Sequence, residues 1–485
     1  MDYYLGMDIG TSSAKAVAFS SEGKVLERRA VSYGMRHPAP DRSEQDPDEI
    51  YRAVCKCLEE VVAALKPGRP LLVSFSAAMH SLLAVDARGN PLTACMIWAD
   101  NRAAAIAEEL KSSETGKSFY QLTGVPIHPM SPLCKLLWLR QEEPAIFYSA
   151  ARFIGIKEYI LFKLSGEYLV DSSIASATGL LNLRTLQWDE AILRYLSIDA
   201  SKLARVVSPR FHFPYGGGKG ELTTSLSLPA GTPIVPGASD GALANIATGA
   251  TGEQKMAVTI GTSGAARMAS DRILIDGEMR TFCYHVKDDH YICGGATNNG
   301  AVVIQWLKES LLQATESYEE LLLLAGTTGP GADGLLFIPY ILGERAPIWN
   351  SKARGIYFGL DIHHGKAHLV RAAMEGVIYC LYDIGRILSP GLSVRELHAS
   401  GGFARSPLWL QILADVFMVK VLAFGNEDSS ALGAVLVGME ALGGFSPFPH
   451  ETPVVYEPDA AAHALYAQRF EQFLRVYALV KGEFY

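Results

Sequence analysis

Four stretches of the chain place carboxylates, hydroxyls and glycines where they could handle phosphate. "DIGTSSAKAVAF" (8–19) and "TIGTSGAARM" (259–268) share the core Ile-Gly-Thr-Ser, but only the first has an aspartate in front, Asp8. A strand ending in Gly-Thr-Ser presents consecutive backbone N–H groups and hydroxyls, which hold phosphate oxygens without a basic pocket. One copy is an ordinary hairpin tip. Two copies at equivalent places in two half-chains argue for function, since facing turns would grip a di- or triphosphate from both sides. Mg²⁺ favours one or two carboxylates plus water, so Asp8 is the candidate metal residue, binding directly or through water.

The third stretch, "VPGASDGALANIATG" (235–249), delivers Asp240 from an apolar strand end into small residues, with Gly241 next to it. Small neighbours let a substrate come close to the carboxylate. A purely structural reading, Asp240 capping a helix that begins at Gly241, is equally good on sequence. Both hold together if the helix N-terminus keeps the carboxylate ionised at neutral pH, as a general base requires. The fourth stretch, "GGFARSPLWLQILADVF" (401–417), puts a Gly-Gly turn before Ser406, which can cap a helix opened by Pro407. Paired glycines there would let a planar ligand lie against backbone.

The elements that must carry these residues follow from period and punctuation. "YYLGMDIG" and "AKAVAFSSEGKVLERRAVSY" form three β-rich runs with turns at Gly10 to Ser13 and Ser21 to Gly23. In "SEQDPDEIYRAVCKCLEEVVAAL" the period changes: Asp46 can cap, Pro47 suits the first helical position, and Ile50, Val54, Leu58, Val61 and Leu65 mark one face. The strand "PLLVSFSAA" (70–78) comes next. From about residue 250 a similar order returns: "KMAVTIGTSGAARMA", the hairpin "YHVKDDHYICGG", then the helical run "GAVVIQWLKESLLQA". Two halves with one opening predict a duplication, cut near residue 246 into domains 1–246 and 247–485. "YGGGKGE" (215–221) is expected to be a flexible loop, and "HALYAQRFEQFLRVYALV" a C-terminal packing helix.

Composition narrows the class. The 485 residues exceed one ordinary core, and 49% apolar residues supply two. A net charge of −8 without like-charge runs argues against nucleic-acid or anionic-membrane partners. Seven scattered cysteines, none in a CxxC pair, suit reduced thiols in a soluble, cytoplasmic protein. The start carries no signal-like segment, and no apolar run has membrane-spanning length.

Two longer patterns identify a resemblance. "MSPLCKLLWLRQEE" (130–143), with Pro132, Lys135 and Trp138 in register, and "GIYFGLDIHHGKAHLVRAAMEG" (355–376), with Gly355, Gly359, His368 and Glu375, are similar to the two long patterns of the FGGY carbohydrate kinases. The resemblance covers nearly the whole chain. It implies an α/β fold of two duplicated ribonuclease H-like (actin-like ATPase) domains with a cleft between them, ATP and Mg²⁺ as cofactors, and a sugar or sugar acid as acceptor. It also implies that Thr11, Ser12, Ser13 and Lys15 form the first phosphate loop and Gly261 and Thr262 the second. Gly402 and Ser406 fall on the nucleoside turn, with Gln305 and Ala301 on the helix below; Ala301 departs from the glycine common in the family. Asp240 falls on the catalytic base, Met79 and His80 on the sugar-contacting pair, and Met130 on the pocket wall.

Within the family, "SEQDPDEI", "GASDGALAN", "TNNGAVVIQWL", "LGERAPIWN" and "GGFARSPLW" look most like gluconate kinases, with xylulose kinases second and glycerol kinases a poor fit. A gluconate carboxylate needs a cation, because a buried unpaired charge is costly. His80, Arg102, Arg267 and Arg345 are the candidates, and the pair His80 with Arg267 is favoured. An actin-like ATPase switch without sugar transfer, and a silent sugar-binding regulator, are the rival classes; Asp240 and the two patterns count against them. A homodimer is expected only on general frequency.

Overall fold

The computed structural model describes residues 1–216, 228–252, 254–389, 394–425, 428–444, 448 and 452–484. Most of the expected 215–221 loop lies outside them.

Strands β1 (Tyr3–Ile9), β2 (Ser13–Phe19) and β3 (Val25–Ser32) form the expected antiparallel meander. Helix α1 (Pro47–Ala64) opens as its sequence requires: Asp46 accepts from the N–H groups of Asp48 and Glu49, and Pro47 costs no hydrogen bond. Its face of Ile50, Val54, Leu58 and Val61 packs on the sheet with Leu5, Met7 and Phe75. Burying each such side chain stabilises the fold by about 1.5–3 kcal/mol. After β4 (Pro70–Ala77) comes a long insertion that holds helix α2 (Pro132–Glu142) and a separate core around Leu133, Leu136 and Phe153. The chain then returns as β5 (Pro233–Ser239) and α3 (Asp240–Ala247). Beyond a two-residue edge strand, the sheet order is β5-β4-β1-β2-β3, with β4 parallel to β1 and β5 parallel to β4.

The second sheet repeats this plan. β6 (Lys255–Ile260), β7 (Gly264–Ser270), β8 (Phe282–Lys287) and β9 (His290–Thr297) are antiparallel neighbours, followed by the short α4 (Val302–Trp306). The helical run expected through residue 314 does not stay α-helical: Leu307–Leu311 widens into a π turn. Helix α5 (Lys366–Leu388) leads to β10 (Glu396–Ser400), α6 (Pro407–Phe417), β11 (Lys420–Ala423), α7 (Ser429–Ala441), β12 (Val454–Tyr456) and α8 (Ala460–Val480). The order is β8-β9-β7-β6-β10-β11-β12, with β10 and β11 parallel to β6. Matching β3-β2-β1-β4-β5 to β9-β7-β6-β10-β11 gives the duplicated architecture expected from the repeated turn.

Helix α7 departs from the sequence division. It packs on β1 and β4 of the first sheet and crosses α3, so tightly that side chains at Gly6 or Gly433 would strike the backbone of Ala431 or Leu243. Among the described residues no helix is long and apolar enough to cross a membrane.

Candidate active site

The two Ile-Gly-Thr-Ser turns close at the same end of their sheets. In the first, Ile9 pairs with Ala14 and the Gly10 N–H donates to the Ser13 carbonyl at 3.0 Å. In the second, Ile260 pairs with Gly264 and the Gly261 N–H donates to the Ser263 carbonyl at 2.9 Å. Thr11 from one turn and Gly261 and Ser263 from the other line a single cavity of about 280 Å³, together with Met79, His80, Met130, Asp240 and Arg267. Ser12 and Thr262 are exposed at the tips and Ser13 is half-buried; these three lie outside that lining.

Strand β5 ends at Ser239, and Asp240 is itself the first residue of α3, one position earlier than the sequence suggests. Its Oδ1 accepts from the Gly241 N–H at 2.6 Å. The helix end is one of several influences on this carboxylate. Burial raises its pKa above the ordinary value, and Arg267, the Gly241 N–H, Lys157 and Arg345 pull it back only in part. Lys157 was not singled out from sequence. Its Nζ donates to Asp171 at 2.7 Å and to the Ala238 carbonyl at 3.0 Å, steadying the strand end that presents Asp240.

Asp8 faces Ser76 across the parallel β1–β4 pair and accepts from its Oγ at 2.7 Å. Burial pushes its pKa up to about 6, and the charges of Asp240 and Asp428 add to the shift. A cation beside it would offset both effects, so Asp8 fits one carboxylate contact to Mg²⁺. Among the described residues no group of three His, Cys, Asp or Glu could hold a metal alone. Phosphate oxygens and water would have to supply the other ligands.

Two candidate residues already have partners within the protein. His80 is not a cation: burial, with Lys135 and Arg345 nearby, pushes its pKa down to about 3. The Nδ1 lies 2.9 Å from the Ala177 carbonyl. A carbonyl only accepts, so Nδ1 carries the proton and Nε2 is an acceptor, 3.5 Å from the Tyr284 hydroxyl. Lys15 lies on β2 beyond the turn, and its Nζ is paired with Asp428 at 3.1 Å. Arg28 binds the same carboxylate.

The other candidate cations separate by position. Arg102 is taken up by Asp100 and Glu44 and stacks on Trp138; it does not line the cavity. Arg267, on β7, lies against Gly241, where a Cβ would come within 2.9 Å of its Nε. That Nε is buried without a partner. Arg345 also lines the cavity, 4.8 Å over the Trp98 ring, with one amino group 3.2 Å from the Thr297 carbonyl and its Nε unpartnered. Burial lowers its pKa to about 10, so it stays charged at neutral pH. Trp98 is a further residue sequence reasoning missed: its indole N–H donates to Thr11 Oγ1 at 2.9 Å. It lies four residues before Arg102, in a stretch without a motif of its own.

A second cavity, about 560 Å³, is lined by Gly401, Gly402, Ala404, Arg405, Phe424 and Tyr456. Ser406 caps α6 as expected, accepting from the Trp409 N–H. Gln305 is exposed, its amide donates to Glu309 at 3.1 Å, and it lines neither cavity. Ala301 donates its N–H to the Gly261 carbonyl at 2.8 Å, tying α4 to the second turn. Two residues of the 355–376 pattern make contacts within the fold: Glu375 binds Arg371 at 2.7 Å and the Gly331 N–H at 2.9 Å, and His368 meets Asp333.

Comparison with known proteins agrees with this geometry. The N-terminal domain model of the FGGY family of carbohydrate kinases matches residues 3–247, and its C-terminal domain model matches residues 256–442. The chain belongs to the FGGY family of carbohydrate kinases. It is therefore a phosphotransferase acting on sugar hydroxyl groups, with ATP as the kinase substrate of the family. A gluconokinase of Bacillus licheniformis is 42% identical over 457 residues, covering 92% of this chain and 89% of the relative. Two solved structures from Lactobacillus acidophilus, one described as a gluconate kinase and one as a ligand-bound xylulose kinase, each superpose with a TM-score of 0.95. Each is 34% identical, covering 100% of this chain and 99% of its own.

Proposed function

We propose that this kinase phosphorylates D-gluconate to 6-phosphogluconate with ATP and Mg²⁺. The observation that carries the reading is the pair of buried guanidinium groups, Arg267 and Arg345, lining the same cavity as Asp240, each with an unpartnered Nε. A neutral sugar has no need of such charge, whereas a sugar acid must be met by it. Arg267 is assigned to the carboxylate, and His80, being neutral, to a sugar hydroxyl. The 42% identity to a gluconokinase supports the same substrate.

Asp240 accepts the proton of the terminal hydroxyl as it attacks. A carboxylate whose pKa burial raises is a stronger base than an exposed one, and its N–H contact from Gly241 fixes its direction. The two turns hold the phosphates in line, from opposite sides of the cavity, with Thr11 steadied by Trp98. Asp8 would hold Mg²⁺ together with water and phosphate oxygens, and the ion would supply positive charge to offset the negative charge developing on the transferring group. The second cavity takes the nucleoside, with Gly402 allowing close approach. Residues 1–246 and 247–485 form the two working domains. The cytoplasm is the compartment this reading implies, in keeping with seven scattered cysteines without a CxxC pair.

Xylulose is the alternative acceptor, favoured by the equal superposition on a structure described as a xylulose kinase. Coupled ATP turnover with gluconate, xylulose, ribulose and glycerol decides between them. Strong dependence on gluconate is expected, preference for xylulose would move the assignment, and turnover independent of every sugar would replace kinase activity by an ATPase switch.

A further inference from the structure

Lys135 carries a buried charge that the proposed reaction does not use. It lies on α2 and is fully buried. Its ammonium donates to three main-chain carbonyls, those of His80 at 2.6 Å, Ile97 at 2.8 Å and Met96 at 3.3 Å. These carbonyls belong to two separate segments, and both reach the cavity. His80 stands in the left-handed region with φ of 70°, which a residue with a Cβ adopts only under constraint. Ile97 precedes Trp98, which holds Thr11 of the first turn and carries Arg345 on its ring face.

We infer that Lys135 is a positioning residue: it holds the left-handed backbone of His80 and, through Ile97, the Trp98–Thr11 contact, so that the sugar wall and the first phosphate turn keep one spacing. Burial pushes its ammonium down to about 7. Asp100 favours its charge and Arg102 opposes it, whereas the thiols of Cys95 and Cys134, pushed up to about 12 and about 11 by burial, and the imidazoles of His80 and His128, pushed down, are neutral at that pH. A neutral amine has two N–H groups and cannot serve three carbonyls. The tie therefore loosens as pH rises through about 7.

The inference rests on the assignment of the Met79–His80 wall to the sugar. Its test is the steady-state kinetics of wild type, Lys135→Met, Lys135→Arg and His80→Ala, with thermal melts to measure the folded fraction. Lys135→Met is expected to raise KM for the sugar about tenfold, more than for ATP, because His80 loses its held direction. Lys135→Arg, which keeps charge and donors, should recover most of that loss. In the wild type, sugar KM should rise above about pH 7, and Lys135→Arg should flatten the rise because its guanidinium stays charged. Variants that lose kcat only in proportion to folded fraction, with KM unchanged, overturn the inference. If neither variant folds, the wild-type profile decides, since a sugar KM flat from about pH 6 to about pH 9 also overturns it. His80→Ala without effect on sugar KM overturns the assignment of the wall; His80→Ala raising it while Lys135→Met does not overturns the inference alone.

Discussion

The two halves of the molecule place the same turn at the same point of the same sheet and give it different neighbours. In the first half Asp8 meets Ser76 across the parallel strand pair at 2.7 Å; in the second, at the matching register, Thr259 meets Ser400, hydroxyl to hydroxyl, at 3.2 Å. The next strand diverges as well. Beyond β4 the chain enters the cavity as Met79-His80, while beyond β10 it leaves as Gly401-Gly402 and lines the larger cavity. At the end of β5 stands Asp240; past the end of β11 stands Phe424. A duplicated scaffold thus keeps the same backbone turn in both copies. At these matched positions the carboxylates Asp8 and Asp240 occur in the first half alone, the half to which the metal contact and the base are assigned in the proposal.

The comparison can be broken at its most unequal point first. With the base proposed in the first half and the nucleoside cavity in the second, Asp240→Asn should lower kcat about 10³-fold or more while leaving ATP affinity within about twofold. Equilibrium binding of a nucleotide analogue beside single-turnover assays measures both, and retained transfer would remove Asp240 as the base. Arg267→Ala should raise KM for gluconate about 100-fold, with a much smaller change for a neutral ketose, as the charged partner of a carboxylate is lost. An equal fall in kcat for every sugar would instead assign this arginine to Asp240.

The turns themselves can be exchanged in character. Asp8→Asn is expected to lower kcat about tenfold or more and to raise the Mg²⁺ concentration needed for half-maximal rate. Thr259→Asp, which gives the second turn the carboxylate it lacks, should raise KM for ATP about tenfold by repulsion of the phosphates. If Thr259→Asp were silent and Asp8→Asn equally so, the asymmetry of the turns would have no bearing on nucleotide handling. The mildest effect is on pH. Asp8 is lifted to about 6 and Asp240 is raised as well. Both carboxylates must be ionised, so kcat/KM should fall as pH drops through about 6, well above the ordinary carboxylate range near 4. A profile flat down to about pH 5 would show that nucleotide, metal or substrate has already displaced those protons.

What could be seen in the sequence was local or repeated. The turns, helix α1 with its Asp46 cap, and the strand that delivers Asp240 are written in neighbouring residues, whose spacing alone decides their form. What stayed hidden depends on distant partners. The charge state of His80 follows from burial among Lys135, Ala177 and Arg345. The occupation of Lys15 depends on Asp428, more than 400 residues away. The π turn at 307–311 interrupts an apolar pattern that reads as continuous helix. Trp98 lacks a motif altogether, and only its indole contact with Thr11 marks it.

Helix α7 has a consequence for how the chain comes to fold. Its residues Ala431, Leu432, Val435 and Met439 cover Val17, Phe19 and Leu72 on the first sheet. That sheet is complete in its strands soon after residue 239, yet beyond the part that α3 covers through Leu243 and Ala247, this apolar face gains the cover of α7 only when residue 441 has been made. On a ribosome adding about 5–20 residues per second, the face waits of the order of ten seconds or more. A gene split near residue 247 should therefore yield a first fragment that aggregates alone and becomes soluble when the second is synthesised with it.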